Sequence, residues 1–164
     1  MLLSGPPCSG KSTLAFLEQG RHGGEVLDWD EIRADITGLP AHEHGEHAAQ
    51  HLPVIEAEFR RRAEILSERA HRSGSWLWII RSAPVKGRRG MLRRIYGADG
   101  VVLAIPIAEC LKRLAKSDRP ASAVDYYTPA IRSWWQRYTP GRHELTIRDW
   151  SQEIDPLHIA SPAT

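Results

Sequence analysis

The sequence predicts an α/β fold in which a parallel sheet of about four or five strands is flanked by helices. Short apolar segments typical of buried strands alternate with longer segments whose apolar residues recur every three or four positions. A glycine-rich motif stands at the first junction between a strand and a helix. This alternation favours right-handed β-α-β units, which place the ligand site at the carboxyl ends of the strands.

The predicted strands are short, and those in the middle of the sheet are almost entirely apolar. The segments at 76–80 and 101–105 have the composition expected of central strands that are covered on both faces. The first strand, a second strand and a final edge strand are predicted at 1–3, 25–28 and 144–147.

Helices are predicted between these strands. The longest pattern covers 47–72, where Pro53 either kinks the helix or marks its first turn. Pro106 suits the first turn of a helix over 107–116. Further helices are predicted to begin near residue 11 and to cover 30–36 and 129–138.

The glycine-rich motif is a complete phosphate-binding loop, G-x-x-x-x-G-K-[ST], at residues 5–12. Gly5 and Gly10 allow the turns that point backbone N–H groups at a phosphate, and the following helix adds its positive dipole end. Lys11 is expected to reach the β- and γ-phosphates, and the Ser12 hydroxyl to bind Mg²⁺. The ligand predicted is a nucleoside triphosphate, ATP. Its expected contacts are Gly5, Cys8, Ser9, Gly10, Lys11, Ser12 and Thr13.

Length and composition indicate one enzyme-sized domain. The chain has 164 residues, 41% hydrophobic and 26% charged, which suffices for one core. We expect a single domain over 1–150 and a loosely held tail over 151–164. The net charge of +2 does not by itself indicate a nucleic-acid partner, and no segment reaches the roughly 18 apolar residues of a membrane span. With only Cys8 and Cys110, no disulfide is expected, and the predicted compartment is the cytoplasm.

An acidic segment, Asp-Trp-Asp-Glu-Ile-Arg at 28–33, follows the second predicted strand. A carboxylate there can accept the proton of an attacking hydroxyl beside the phosphate-binding loop. Asp30 is the preferred base, and Arg33, three residues later on a helical turn, could hold an anionic acceptor. Asp28 is the competing base. The structural alternative makes Asp30 a helix N-cap and Arg33 a solvated charge.

The loop and the acidic segment together resemble the phage-type polynucleotide 5′-kinases and related P-loop kinases. The resemblance implies that Asp30 is the general base and that Arg33 binds the phosphate of the acceptor. It continues more weakly to about residue 138. Residues 111–113 and the basic turn after them resemble the lid of that family, which implies a small basic lid with Arg113 and Arg119 in catalytic positions.

The chain also departs from that family. Arg81 and Ser82 stand where the family carries an acidic residue after the third strand, and Arg119 is displaced by a residue or two. This difference indicates an altered acceptor site. No second acidic ligand for Mg²⁺ follows the strand at 76–80.

A basic run follows the third predicted strand. It contains six positive residues without an intervening acid, which could bind a polyanionic strand. The alternative is one solvated helix face, with apolar residues turned inward. The residues of the run are Arg81, Lys86, Arg88, Arg89, Arg93 and Arg94.

The preferred prediction is an ATP-dependent phosphotransferase acting on a nucleic-acid hydroxyl, either a 5′-hydroxyl or one on a modified base. Asp30 takes the hydroxyl proton, while Lys11, Arg113 and Arg119 stabilise the transferring phosphoryl group. Contacts to the acceptor are expected from Arg33, Arg81, Arg88 and Arg89, and from Trp29, which could stack on a base. A kinase for small-molecule hydroxyls would use the same residues. A non-catalytic ATP-dependent switch is a third reading.

Overall fold

The computed structural model describes residues 1–40 and 50–149. The predicted tail at 151–164 and the first residues of the predicted helix at 47–72 lie outside the described residues. Five strands are present: β1 (Leu2–Ser4), β2 (Glu25–Asp28), β3 (Leu77–Arg81), β4 (Gly100–Leu103) and β5 (Glu144–Ile147). The described helices are α1 (Lys11–His22), α2 (Trp29–Thr37), α3 (Leu52–Ser73), α4 (Lys86–Tyr96), α5 (Ile107–Ala115) and α6 (Ala121–Arg137).

The strands form one parallel sheet in the order β2-β3-β1-β4-β5, which confirms the predicted fold class. β1 lies at the centre, where Leu3 pairs with Ile80 of β3 and with Val101 of β4. Because all strands run in the same direction, their carboxyl ends meet at one edge. Ser4 pairs with Arg81 there, and Asp28 at the end of β2 pairs with Ile80.

Helices cover both faces of the sheet, and the core is divided accordingly. On one face α1, α5 and α6 contribute residues such as Leu14, Cys110 and Ile131. On the other face α2, α3 and α4 contribute Ile32, Phe59 and Leu92. Neighbouring residues of β1 serve opposite faces, because successive strand side chains point to opposite sides. Full burial of each large aliphatic side chain stabilises the fold by about 1.5–3 kcal/mol.

The predicted helix at 129–138 is too short. The observed α6 begins eight residues earlier, at Ala121, and contains Pro129 in its interior. Proline is common in a first helical turn, so the sequence pattern favoured a start at this residue. The core explains the difference, because Ala123 and Tyr127 are buried against it and hold the preceding turns helical.

Two further predictions are confirmed. Pro53 lies in the first turn of α3 and does not kink it, since a first-turn proline sacrifices no helical hydrogen bond. Cys8 and Cys110 are free thiols. Among the described helices, none is long and apolar enough to cross a membrane.

Candidate active site

The phosphate-binding loop connects β1 to α1 in a tightly turned conformation. Gly5 has no room for a side chain, because a Cβ would lie 2.7 Å from the Leu103 carbonyl oxygen and 2.7 Å from Ser9 Oγ. Gly10 has a φ of 93° and Cys8 a φ of 60°. A left-handed conformation at a residue other than glycine costs about 1–3 kcal/mol and is concentrated at functional sites. Backbone conformations of this kind are typical of loops whose successive N–H groups form an anion-binding concavity.

The charged residue of the loop lies against its own backbone. Lys11 Nζ donates hydrogen bonds to the carbonyl oxygens of Gly5, at 3.1 Å, and Pro6, at 2.8 Å. Burial lowers the pKa of Lys11, while Asp30 and Asp28 oppose that shift. The ammonium group is thus placed at the loop, within the electrostatic field of both aspartates.

Asp28 connects the loop to the end of β2. Its Oδ2 accepts a hydrogen bond from Ser12 Oγ at 2.8 Å, and its Oδ1 accepts one from the backbone N–H of Asp30 at 3.0 Å. Asp28 is therefore the N-cap of α2, a position that the sequence analysis offered as the alternative role for Asp30. A hydroxyl and a carboxylate oxygen side by side form the kind of oxygen pair that Mg²⁺ prefers. Ser12 and Asp28 fit the two protein ligands of such an ion.

Asp30 lies in the first turn of α2 and faces the same cleft. Its Oδ1 is 3.8 Å from Nε of Arg33, which is 1% exposed, whereas 46% of the Asp30 side chain remains exposed. Partial desolvation and the negative charge of Asp28 raise the pKa of Asp30, while Arg33 and Lys11 pull it down. The carboxylate can therefore reach a ligand and has an increased affinity for a proton, as a general base requires. Arg33 is not the solvated surface charge of the structural alternative.

The two predicted lid arginines approach the loop from the opposite side. Arg113, on α5, donates from Nη1 to the Ser9 carbonyl oxygen at 3.0 Å and from Nε to Glu109 at 3.0 Å. Arg119, in the connection between α5 and α6, donates from Nη1 to Cys8 Sγ at 3.1 Å. Both guanidinium groups line the cleft with Lys11, so the structure brings the predicted catalytic residues together.

The cleft has a volume of about 1130 Å³ and extends from the phosphate-binding loop to the ends of β2 and β3. One face of α6 forms a wall that the sequence analysis did not predict. It presents Tyr126, Tyr127, Ala130, Trp134 and Arg137, which from Tyr127 onward recur at steps of three and four. This spacing would have indicated a lining face if the helix had been recognised from its true start.

Arg81 ends β3, where its backbone pairs with Ser4 of β1, and its side chain lines the cleft. Its Nη2 donates to Glu56 Oε1 at 2.7 Å. Its guanidinium carbon lies 5.5 Å from the centre of the Trp29 ring and 4.8 Å from that of Phe59. Arg81, Trp29 and Glu56 all line the cleft. Glu56, from α3, was not predicted, because its proximity depends on how α3 packs across the sheet.

The basic run forms a cationic surface only in part, because three of its residues are exposed, namely Lys86, Arg88 and Arg94, while the other three are paired with acids. Arg89 is 1% exposed and makes a bidentate ion pair with Glu144 on β5, at 2.9 and 2.8 Å. It also donates to the carbonyl oxygens of Ala83 and Thr139. We therefore withdraw Arg89 as a substrate-binding residue. Acids outside the run pair with three of its six positive residues, which the composition of the run alone could not show.

Arg88 also lies away from the cleft. Its side chain is exposed on α4, and it is absent from the cleft lining, as are Lys86, Arg93 and Arg94. Arg93 lies 3.9 Å from Asp99. Of the six residues in the run, Arg81 alone is placed at the cleft among the described residues.

No protein-family model matches the chain. No curated protein matches its sequence either. Solved structures do share its fold. A sugar kinase from Janibacter sp. HTCC2649 superposes with a TM-score of 0.55 at 18% identity, covering 97% of this chain and 88% of that one. A gluconokinase from Sinorhizobium meliloti 1021 gives 0.55 at 15% identity, with coverages of 90% and 80%.

A third structure extends the comparison. Shikimate kinase from Bacteroides thetaiotaomicron gives a TM-score of 0.54 at 16% identity, covering 98% of this chain and 91% of that one. The specific resemblance to polynucleotide 5′-kinases gains no support from these three structures. At such identities the likeness concerns the fold, and the chain has the P-loop kinase fold.

Proposed function

We propose that the protein is an ATP-dependent kinase that transfers the γ-phosphoryl group to a hydroxyl of a small molecule. The observation that carries this proposal is the convergence, in one cleft, of a strained phosphate-binding loop and a carboxylate suited to act as a base. The three compared structures are a sugar kinase, a gluconokinase and a shikimate kinase, which adds support for an acceptor of that size.

A small acceptor is favoured over a nucleic acid by the distribution of charge. A nucleic-acid strand is bound mainly by cations that contact successive phosphates. The residues predicted for that role include Arg89, which is buried in an ion pair, and Arg88, which lies outside the cleft. The cleft, of about 1130 Å³, is only slightly larger than typical small-molecule sites, whose volumes are about 300–1,000 Å³.

In the proposed reaction Asp30 orients the acceptor hydroxyl and takes its proton as the oxygen attacks the γ-phosphorus. A new P–O bond forms to the acceptor, and the bond from the γ-phosphorus to the β,γ-bridging oxygen breaks. Lys11, Arg113 and Arg119 stabilise the negative charge on the transferring group and on the departing diphosphate. Arg33 forms an ion pair with Asp30 and helps to fix the position of its carboxylate.

A magnesium ion fits this site through Ser12 Oγ and Asp28 Oδ2, which are 2.8 Å apart. Because Mg²⁺ usually keeps several waters and phosphate oxygens, two protein ligands are sufficient. When bound, the ion would neutralise charge on the phosphates. In this proposal the acidic ligand comes from Asp28 at the end of β2, and not from a residue after β3.

The test is a transfer assay with γ-labelled ATP and a panel of acceptors. The panel contains sugars, hydroxy acids, cyclic polyols, nucleosides, and DNA and RNA oligonucleotides with free 5′-hydroxyls. We expect label on one class of small molecule, and none when Lys11→Ala replaces the wild type. Label on oligonucleotides alone would overturn the small-molecule acceptor. ATP binding without transfer to any acceptor, including the small molecules of a cell extract, would favour a switch.

A further inference from the structure

Two buried N–H groups in the wall of the cleft point to the chemical class of the acceptor. They belong to Arg81, at the end of β3, and Trp29, next to the proposed base Asp30. Both residues line the cleft, and the guanidinium of Arg81 lies over the indole ring of Trp29. The two side chains thus form one continuous surface in the wall of the cleft, at the ends of β2 and β3.

Neither group has an acceptor within the described part of the chain. Arg81 Nη1 and Trp29 Nε1 are buried atoms without a hydrogen-bond partner, although Nη2 of the same guanidinium is held by Glu56 at 2.7 Å. More than nine-tenths of buried backbone polar groups, and most buried side-chain ones, have a partner. An unpaired donor costs about 1–3 kcal/mol. Other buried indole N–H groups, such as those of Trp78 and Trp134, also have no partner in the described residues, but Arg81 and Trp29 both line the cleft and contact each other, as expected of donors that one ligand completes.

The chemistry of the two donors restricts that ligand. A guanidinium and an indole N–H donate hydrogen bonds and cannot accept them. A substrate ammonium group is excluded at this position, since it also only donates. A carboxylate or phosphate oxygen accepts without donating, and its charge suits arginine, which binds such groups with planar geometry.

The side chains around Arg81 are consistent with a ligand that carries a single negative charge at this position. Arg81 is 12% exposed and is stacked over Trp29 and Phe59, so its guanidinium is fixed in orientation. Glu56 compensates part of its charge and holds one edge, leaving the edge that carries Nη1. Arg33 lies nearby in the same lining, paired with Asp30. A single oxyanion can therefore be bound without the bare cations that a polyanion requires.

We propose that the acceptor is a small hydroxylated compound that carries a carboxylate or a phosphate, and that Arg81 Nη1 and Trp29 Nε1 bind this oxyanion. The inference rests on the proposed kinase function and adds the substrate class. Binding the oxyanion at this wall would place the rest of the molecule beside Asp30, the neighbour of Trp29 in the chain.

The experiment compares acceptors in matched pairs that differ by the oxyanion. Suitable pairs are D-gluconate with D-glucitol, glycerate with glycerol, and glycerol 3-phosphate with glycerol, extended to hydroxy acids and sugar phosphates of three to seven carbons. We expect kcat/KM for the charged member to exceed that of its neutral partner at least about 10-fold, the scale of a charge-assisted hydrogen bond. Comparing the pairs that carry a carboxylate with those that carry a phosphate shows which of the two oxyanions the enzyme prefers.

Variants then assign the effect to the two donors. Arg81→Met should raise KM for the charged acceptor about 10- to 100-fold, with a smaller change in kcat. Trp29→Phe keeps an aromatic ring and loses only the N–H, so KM should rise about 5-fold. KM for ATP should stay unchanged in both. Arg69→Met is the matched control, since Arg69 is exposed and pairs with Glu25 outside the cleft.

The outcomes separate this inference from the proposed function. Neutral acceptors phosphorylated as well as their charged partners would overturn the oxyanion site and leave the kinase intact. If no acceptor is turned over, the same compounds are titrated into protein saturated with Mg²⁺ and a non-hydrolysable ATP analogue. Oxyanions should then bind, and bind at least 10-fold more weakly to Arg81→Met. No binding by any charged compound would overturn the inference.

Discussion

The two ends of the cleft recognise charge in different ways. At the phosphate-binding loop, Lys11 bonds to backbone carbonyl oxygens and Arg119 to the sulfur of Cys8. Within the described residues, neither of these two has a carboxylate at ion-pair distance, whereas Arg113 at the same loop pairs with Glu109 at 3.0 Å. At the other end, Arg33 and Arg81 each face a carboxylate, at 3.8 Å from Asp30 and 2.7 Å from Glu56.

This contrast matches two kinds of ligand. Uncompensated cations favour a triphosphate, whose several charges would neutralise them. Arginines that are already paired add little net charge, and they contribute fixed donors with defined directions. Under the proposed function, the part of the cleft that holds Arg33 and Arg81 suits an acceptor of low charge better than a nucleic-acid backbone.

Removing the charge of the loop should have the largest effect. In Lys11→Ala we expect the rate of phosphoryl transfer to fall about 10³-fold or more, because a preorganised charge next to the transferring group is lost. The rate is measured by single-turnover transfer from labelled ATP. Lys86→Ala is the control, since Lys86 is exposed on α4 and outside the cleft. Equal rates for Lys11→Ala and wild type would remove the loop from the reaction.

The next effect concerns stability. Arg89→Met should lower the free energy of unfolding by about 3–5 kcal/mol, because Glu144, only 3% exposed, would keep a buried charge without its partner. Denaturant titration measures the loss. The double variant Arg89→Met/Glu144→Leu should recover much of it, since both charges are then absent. A single variant as stable as wild type would show that the pair is not desolvated as the structure has it.

The difference between Arg89 and the phosphate-binding loop also shows what the sequence could predict. The loop is contiguous, and each residue's role follows from its own backbone geometry, so Gly5–Ser12 was identified from the motif. Asp30 and Arg33 lie three residues apart on one helix, which made their proximity predictable. The partners Glu144 of Arg89 and Glu56 of Arg81 are 55 and 25 residues away and depend on packing.

The fold shows the same division. Alternating apolar segments predicted all five strands, including the edge strand β5, because each strand carries its own burial pattern. Pro129 misplaced the start of α6, since local preference for a first turn was overridden by the burial of Tyr127. Because the start of α6 was misplaced, the face of this helix that lines the cleft was not predicted either. Local signals were thus sufficient to predict that the loop, Asp30 and Arg33 lie together, and insufficient to predict the residues that α3 and α6 contribute to the cleft.

A smaller effect is expected from the arginine behind the base. Arg33 opposes the rise in the pKa of Asp30, so in Arg33→Met that pKa should rise further. A base with a higher pKa is protonated at higher pH, and the acidic limb of the profile of kcat against pH should move upward. Methionine fills the buried space of the arginine. If the acidic limb of the kcat profile lies at the same pH in Arg33→Met and in wild type, Arg33 does not affect the group that titrates.

The smallest effect is expected outside the cleft. Arg88→Glu should leave kcat and KM unchanged within about 2-fold, since this exposed side chain is not part of the cleft lining. Oligonucleotide binding, titrated at low and high salt, should be equally weak in both proteins. Strong, salt-dependent binding that Arg88→Glu abolishes would restore the nucleic-acid acceptor.

The most direct measurement compares Asp30→Asn with wild type in kcat and in ATP affinity. The amide keeps the size of the side chain and cannot take up a proton. We expect ATP binding to persist while kcat falls at least about 100-fold, a typical scale for loss of a general base. In wild type, kcat should decline as pH falls through the pKa of Asp30, which lies above its ordinary value of 3.8, and the variant should lack this limb. Turnover by Asp30→Asn at the wild-type rate would contradict the assignment of Asp30 as the base.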